Sequence, residues 1–254
     1  MSRIIGVISG KGGVGKTTIT ANLATALSMK FGRKVTAVDC NLTTSHLGMH
    51  FGIFFYPRTF NDFLKGTTSI EDVLISHATG VNILPASLNL SDLVGIDMYE
   101  IREKLRDSLR DNDFVFLDSA PGFGKEAVSA MRACEEALLV TTPDVPAITD
   151  VLKAKSVLEQ MNVEIIGLIV NKVTGKKFEL SRQEIAETTG LNIIGFIHFS
   201  FEFSESLSSK TPLVAYKQHT KASIELLKIA AYLTGEAYKE PSMIERIIST
   251  FFRP

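Results

Sequence analysis

The sequence lacks tryptophan and has only two cysteines, Cys40 and Cys134, which lie far apart without CxxC spacing. They do not form a metal-binding motif, and they do not indicate the disulfide framework of a small secreted protein. We therefore expect each cysteine to be a small, buried, apolar residue.

A strong net charge and long apolar runs are also missing. The chain has 27 Lys and Arg residues against 28 Asp and Glu, for a formal net charge of -1. This balance argues against extensive electrostatic binding of nucleic acid, although it leaves a local basic patch open. No apolar run is long enough to cross a bilayer, and no signal peptide precedes the first apolar stretch, so we expect a cytoplasmic protein.

Short apolar runs alternate with stretches of helical periodicity along the 254 residues. Most of the runs are continuously apolar, which is typical of strands in a parallel sheet covered on both faces. The order predicts an α/β fold with a doubly wound, mostly parallel sheet and helices on both faces. We expect one domain over 1–237 and a C-terminal tail over 238–254. The predicted strands are 4–9, 34–39, 81–84, 114–118, 137–142, 165–170 and 192–197.

The strongest motif follows the first predicted strand and satisfies G-x-x-x-x-G-K-[ST]. Its glycines allow backbone N–H groups to surround a phosphate, and the following helix adds partial positive charge. We expect Lys16 to reach the β- and γ-phosphates and the Thr17 hydroxyl to bind magnesium. This phosphate loop, residues 10–18, consists of Gly10, Lys11, Gly12, Gly13, Val14, Gly15, Lys16, Thr17 and Thr18.

A carboxylate at the end of a buried strand would complete such a site. The apolar run 114–118 ends in Asp118, which fits a residue that holds magnesium through water. Many strands end in this way, so the phosphate loop is what makes the assignment specific. Asp39 ends another predicted strand and offers a similar carboxylate.

Lys11 is not required by an ordinary phosphate loop. It is either a solvated lysine or a charge directed at a phosphate, for example one in a partner subunit.

In this respect the sequence resembles the MinD/ParA ATPases, whose deviant Walker A motif carries such a lysine. The segments 118–122, 83–87, 141–144 and 170–172 are similar to motifs of that family. The resemblance covers nearly the whole chain and favours MinD-like cell-division and positioning ATPases of archaeal type.

The resemblance implies that ATP and Mg²⁺ drive formation of a face-to-face homodimer, in which Lys11 contacts the phosphates held by the other subunit. Hydrolysis would return the protein to monomers. It also implies that Asn171 contacts the adenine base and that Asp150 lies near the dimer groove, where an unknown regulatory or activating protein docks.

Two positions depart from the family pattern. Asn41 stands where the family has a second Asp, after Asp39 and Cys40. The residues that we expect to act in catalysis are Lys11, Lys16, Asp39 and Asn41. An amide carries no negative charge and accepts no proton, so Asn41 predicts slow ATP hydrolysis. After the last strand, His198 stands where the family has proline, and we favour a loop role for it over contact with adenine.

The end of the chain has the pattern of a short amphipathic helix. MinD proteins end in a membrane-targeting helix of this kind, but a Lys-rich face is missing here. We favour a membrane anchor over docking onto protein. Its apolar face would consist of Met243, Ile244, Ile247, Ile248, Phe251 and Phe252.

Three functions compete at this point. The first is a nucleotide-switched ATPase at the inner face of the cell membrane that positions a cellular machine such as the division apparatus. The second is a ParA-type partition ATPase that binds DNA, which the near-neutral charge disfavours. The third is an ATP-gated scaffold with negligible hydrolysis, which Asn41 favours.

Overall fold

The structure is a computed structural model that describes residues 2–97 and 100–240. The six apolar tail residues from Met243 to Phe252 lie outside the described residues. None of the helices in the described ranges is long and apolar enough to span a membrane.

An eight-stranded sheet forms the centre of the described structure, in the order β3-β4-β2-β5-β1-β6-β7-β8. All neighbours pair in parallel except β3, which runs antiparallel to β4 at the edge. This arrangement confirms the doubly wound, mostly parallel fold. The strands are β1 (Arg3–Ile8), β2 (Val35–Cys40), β3 (Ile75–Ser76), β4 (Val81–Leu84), β5 (Phe114–Ser119), β6 (Glu136–Thr141), β7 (Glu164–Val173) and β8 (Ile193–His198).

Helices cover both faces of this sheet, which explains why its strands are continuously apolar. Ile4 and Ile8 of β1 belong to one buried cluster, and Ile5 and Val7 belong to the other. Successive side chains of a strand point to opposite faces, so each face receives its own apolar layer. The helices are α1 (Lys16–Phe31), α2 (Leu47–His50), α3 (Phe60–Leu64), α4 (Ile101–Ser108), α5 (Lys125–Ala133), α6 (Val145–Gln160), α7 (Arg182–Thr189), α8 (Glu202–Ser208), α9 (Leu213–Tyr216) and α10 (Lys221–Thr234), with a 3-10 turn at Leu90–Leu93.

The two cysteines are free and buried, as the sequence predicts. Burial raises the pKa of the Cys134 thiol to about 12, so the side chain stays protonated and behaves as an apolar group.

The boundary placed at residue 237 stays a prediction. Tyr238 is partly buried against one of the two apolar layers, and Lys228 Nζ lies 2.7 Å from Glu240 Oε1. The first described residues of the tail therefore pack on the domain.

The topology brings the carboxyl ends of four neighbouring strands together. The loop after β1 lies between the ends of β5 and β6, which flank that strand, and β2 follows β5. In open α/β sheets, ligands bind at the carboxyl ends of the strands.

Candidate nucleotide site

The phosphate loop leaves β1 after Ile8 and ends where α1 begins at Lys16. Gly13 and Gly15 have φ angles of 78° and 100°, values that a residue with a Cβ adopts only under strain. Gly15 is the N-cap of α1, and it has no side chain to bind the N–H groups of the first turn. Those groups are thereby able to bind an anion.

The ammonium group of Lys16 is held inside the loop. The residue is 7% exposed, and its Nζ donates to Ser9 Oγ at 3.0 Å. Ser9 Oγ in turn donates to the carbonyl oxygen of Lys11 at 2.7 Å. Burial lowers the pKa of Lys16, while the nearby Asp118 carboxylate acts in the opposite direction. The lysine is thus a fixed cation beside the position expected for phosphates.

Two carboxyl groups lie side by side beneath the loop. Asp39 and Asp118 are direct partners in the pairing of β2 with β5, and they are 0% and 1% exposed. Burial, with a further contribution from Asp39, raises the pKa of Asp118 to about 7. Lys16 and hydrogen bonds from Thr17 and Thr20 oppose that rise. Ionising both carboxyl groups costs free energy unless a cation in addition to Lys16 lies nearby, because like charges in a desolvated site destabilise each other.

The available oxygen atoms fit magnesium. Thr17 lies close enough to Asp118 to lower the pKa of that carboxyl group, so both predicted ligands converge on one place. Mg²⁺ usually binds one or two carboxylates and completes its octahedron with phosphate oxygens and water. In the described ranges no group of three or more His, Cys, Asp and Glu side chains forms a metal site. Thr17 and Asp118 would therefore hold the cation together with the phosphates of a nucleotide.

Asp39 anchors the segment that follows β2. Its Oδ2 accepts from Ser45 Oγ at 2.7 Å and from the N–H groups of His46 and Leu47 at 3.1 Å each. Its Oδ1 accepts from the Asn41 N–H at 3.0 Å. Residues 41–46, which we call the switch segment, are thus tied to the carboxylate next to Asp118. A catalytic role of Asp39 stays a prediction.

The side chain of Asn41 is bound within the switch segment. Its Oδ1 accepts from Thr44 Oγ1 at 3.1 Å. The predicted effect of Asn41 on hydrolysis is not decided by this contact.

Lys11 contrasts with Lys16 because it points away from its own loop. Its Nζ lies 3.2 Å from Asp144 Oδ1, and the two side chains are 45% and 42% exposed. Such a surface pair contributes only about 0–1 kcal/mol, so a phosphate can replace Asp144 at little cost. Asp144 is otherwise occupied at the start of α6, where it accepts from the Ala147 N–H at 3.1 Å.

Asp150 packs directly on the beginning of the phosphate loop. A Cβ added to Gly10 would lie 2.6 Å from Asp150 Cβ, so only glycine fits there. Asp150 Oδ1 pairs with Lys153 Nζ at 3.2 Å on the surface of α6. Contact of Asp150 with a regulator stays a prediction, but the residue lies next to the loop.

Beside the loop lies a cavity of about 210 Å³, which we call the base cavity. Its walls include Gly15, Thr18, His50, Asn171, His198 and Phe199. Sites that enclose a whole drug-sized ligand measure ~300–1,000 Å³, so this cavity suits one part of a nucleotide.

Asn171 joins the base cavity to the phosphate loop. It is 4% exposed, and its Nδ2 donates to the Val14 carbonyl at 2.8 Å. The neighbouring Lys172 donates from Nζ to the Gly13 carbonyl at 2.7 Å. A primary amide has two N–H groups and an oxygen acceptor, so Asn171 retains groups for a base. Its predicted contact with adenine is compatible with this position.

His198 ends β8 and is exposed on the wall of the base cavity. Its ring makes an edge-to-face contact with Phe196, with centroids 6.1 Å apart. His198 therefore borders the loop after β8, the role favoured from the sequence, and it also lines the base cavity.

Several residues of the site were not predicted, among them Ser9 and His50. Ser9 ends the apolar run before the loop, and a polar residue at that point is a usable signal. His50 carries no sequence signal, because it reaches the base cavity through the packing of a four-residue helix.

Relatives and solved structures share the sequence pattern and the fold of this chain. An uncharacterized ATP-binding protein of Methanocaldococcus jannaschii is 31% identical over 258 residues, with 99% of this chain and 97% of the relative covered. The cell division ATPase MinD of Pyrococcus furiosus superposes with a TM-score of 0.89 at 31% identity, covering 92% of this chain and 99% of that one. The septum site-determining protein MinD of Pyrococcus horikoshii, complexed with Mg-ADP, gives a TM-score of 0.88 at 32% identity, covering 92% and 96%.

The model of the CobQ/CobB/MinD/ParA nucleotide binding domain matches residues 5–213. Together with the Mg-ADP of the Pyrococcus horikoshii protein, this match confirms the expected ligands, ATP with Mg²⁺. A phosphate loop with a second lysine, a buried carboxylate beside it and a cavity next to Asn171 occur here on one sheet edge. The chain therefore belongs to the MinD/ParA family of P-loop nucleotide-binding ATPases.

Proposed function

We propose that this chain is a MinD-like ATPase whose ATP-bound form is a homodimer and whose dimer associates with the membrane to position cell division or another cellular machine. Family membership supports the coarser part, a cell-division type of ATPase, since solved MinD proteins share both fold and sequence with it. Dimerisation, membrane association and the machine positioned belong to the proposal.

The different positions of the two loop lysines carry the proposal. Lys16 is buried among the groups of its own site, whereas the side chain of Lys11 is half-exposed and pairs with Asp144 on the surface. A lysine of this kind gains most when it meets a phosphate outside its own subunit, because its surface pair is weak. A second copy that presents a bound triphosphate provides such a partner.

The chain's own groups would act in sequence as follows. The loop N–H groups and Lys16 bind the phosphates, and Thr17 with Asp118 orients Mg²⁺, which neutralises phosphate charge when bound. The switch segment, tied to Asp39, lies beside these ligands. Only the triphosphate offers Lys11 its full charge, so the dimer depends on the nucleotide state.

An activating or regulatory protein would dock on α6. Asp150 lies on that helix and contacts the first residue of the phosphate loop. A partner that contacts Asp150 would therefore lie next to the loop that binds the phosphates.

The direct test compares two exposed lysines that make similar ion pairs. One pairs with the carboxylate that caps α6, and the other pairs with a carboxylate within α6. Lys11 pairs with Asp144, and Lys153 pairs with Asp150, each at 3.2 Å. In size-exclusion chromatography with ATP, Lys11→Ala should bind nucleotide but stay monomeric, while Lys153→Ala should dimerise like wild type. An ATP-dependent dimer of Lys11→Ala would contradict the proposal.

Membrane association rests on the sequence of the tail. A single short amphipathic helix binds lipid weakly, and two tails in one dimer bind with a high effective concentration, which strengthens attachment by roughly a hundredfold or more. The result would be attachment at the inner face of the cell membrane only in the ATP state.

Liposome co-sedimentation tests this part. Pelleting should require ATP and should be lost in a chain truncated after Glu240 and in Ile248→Glu. Ser249→Glu places the same charge at the next position, outside the six residues of the predicted apolar face, so it should pellet like wild type. Equal pelleting of the full-length and truncated chains would remove the anchor.

Asn41 favours a second candidate, an ATP-gated scaffold with negligible turnover. Its side chain is bound to Thr44 and has no carboxylate to accept a proton. An ATP dimer that persists for hours without release of phosphate would support the scaffold over the switch.

A further inference from the structure

A buried histidine in the base cavity has no role in the functions described so far. His50 is the last residue of α2, is 8% exposed and lines the cavity with Asn171 and Thr18. Within residues 2–97 and 100–240, no hydrogen bond or ion pair of its ring is found. The ring nitrogens are not among the fully buried side-chain atoms without a partner, so they are open to the cavity, where an entering polar ligand can bind them.

Another histidine shows what a satisfied ring looks like in the same region. His77 packs edge-to-face on Phe51, with centroids 5.2 Å apart, and its Nδ1 lies 2.9 Å from Thr79 Oγ1. Phe51 follows His50 directly in the chain. His77 therefore has a structural explanation and His50 has none.

The position of the cavity indicates what enters it. Gly15 and Thr18, at the start of α1, form the wall nearest the phosphates, and the half-exposed Phe199 provides an aromatic surface. A ligand that extends from the loop into this space is a flat or ring-shaped group with polar edges. The nucleoside part of a nucleotide has this chemistry.

We propose that His50 hydrogen-bonds the nucleoside part of the bound nucleotide, and that it links the occupied cavity to the switch segment. This proposal rests on nucleotide binding but not on dimerisation.

A neutral imidazole has one donor and one acceptor, so it can bind a ribose hydroxyl or the edge of a purine. Burial, with a contribution from His46, lowers the pKa of His50 to about 4, so the ring is neutral at physiological pH.

The link to the switch segment follows from the length of α2. The helix spans Leu47–His50, and the Leu47 N–H donates to Asp39 Oδ2 at 3.1 Å. One helical turn therefore joins the carboxylate beside Asp118 to the ring in the base cavity. A nucleoside bound to His50 would hold that turn, and inorganic phosphates alone would not.

The test measures binding of Mg-ADP and Mg-pyrophosphate to the full chain by titration calorimetry. Phe at position 50 keeps a planar ring without hydrogen-bonding groups, whereas Gln keeps a donor and an acceptor. We expect His50→Phe to weaken ADP binding about three- to tenfold, or ~0.6–1.4 kcal/mol, the range of one neutral hydrogen bond. Pyrophosphate affinity should not change, and His50→Gln should recover most of the loss. The exposed His219, changed to Gln, is the control.

Ligand analogues identify the atom bound. If His50 binds the ribose, 2′-deoxy-ADP should bind wild type more weakly than ADP does. In His50→Phe, the two ligands should bind with equal affinity. If His50 binds the edge of the base, inosine diphosphate should show this pattern instead: weaker binding than ADP to wild type, and equal binding to His50→Phe. Additive effects for both analogues would overturn the contact.

Two further outcomes would overturn the proposal: unchanged ADP affinity in His50→Phe, or equal loss for ADP and pyrophosphate. Thermal unfolding checks that each variant folds, and if His50→Phe does not fold, the same analogue series in His50→Leu, which also lacks hydrogen-bonding groups, decides. The proposed function fails differently, since a wild-type chain that binds ADP but never dimerises leaves this result intact.

Discussion

The phosphate end and the nucleoside end of the site are built in different ways. At the phosphate end, nine consecutive residues supply the loop, and Lys16, Asp39 and Asp118 are all buried beside it. At the nucleoside end, α2, β7 and the segment after β8 each contribute a side chain to one open cavity. The first end is a property of local backbone geometry, and the second is a property of tertiary packing.

Lys16→Ala should break the phosphate end with the largest effect. The change removes the buried cation between the loop and Asp118. A charged hydrogen bond contributes about 1.5–3 kcal/mol, and Lys16 would reach the β- and γ-phosphates, so ATP affinity should fall roughly a hundredfold or more. Titration calorimetry measures the loss, and Lys11→Ala, in the same loop, should keep near-normal affinity. Retention of wild-type affinity by Lys16→Ala would refute the assignment of the loop.

Gly15→Ala should damage both ends together, because Gly15 lies where they meet. Its φ of 100° disfavours any Cβ, and an added Cβ would lie 2.5 Å from Asn171 Nδ2. The left-handed conformation alone costs roughly 1–2 kcal/mol, so the melting temperature should fall and ADP binding should weaken about tenfold. Gly12→Ala is the matched control, since its Cβ would meet only Pro121 at 3.7 Å. Equal behaviour of the two variants would show that the ends are independent.

Asn41→Asp should change the rate of hydrolysis at the phosphate end, with a smaller effect than the two substitutions above. A carboxylate can accept a proton and help to orient the attacking water, so steady-state phosphate release should rise severalfold. Asn41→Ala, which also breaks the contact with Thr44, separates loss of that contact from gain of charge. A rate that is unchanged or lower in Asn41→Asp would mean that another group positions the water.

The last prediction concerns the pH dependence of stability at the nucleoside end. Burial lowers the pKa of His50 from 6.5 to about 4, so below pH 6.5 the unfolded chain takes up a proton that the folded chain does not. The nucleotide-free protein should therefore lose stability on this account as pH falls from about 6.5 to about 4. Denaturant titrations of wild type and His50→Gln isolate the contribution as a difference. Parallel pH profiles would show that His50 is solvated in the folded state.

The fold was predictable because parallel strands and the phosphate loop leave strong local patterns. Continuous apolar runs identified the seven strands from β1 to β8 other than β3. That strand, Ile75–Ser76, has two residues and pairs only at the edge, so no periodicity can reveal it. The short α2 is equally silent in the sequence.

The site shows the same division. Lys16, Thr17 and Asp118 follow from spacing, since helix start and strand end fix where their side chains meet. The contact of Lys11 with Asp144, 133 residues away, depends on how α6 packs, which spacing does not encode. The anchoring of the switch segment by Asp39 also required the structure, because the sequence shows only a strand that ends in a carboxylate.

The bond between Asn171 and Val14 joins residues 157 positions apart, and Lys172 reaches Gly13 over 159. A ribosome delivers β7 long after it has delivered β1, the loop and α1. A nascent chain that ends before β7 thus lacks both contacts that seat the loop carbonyls. We expect nucleotide binding to mature late during synthesis, as contacts of long sequence separation form slowly.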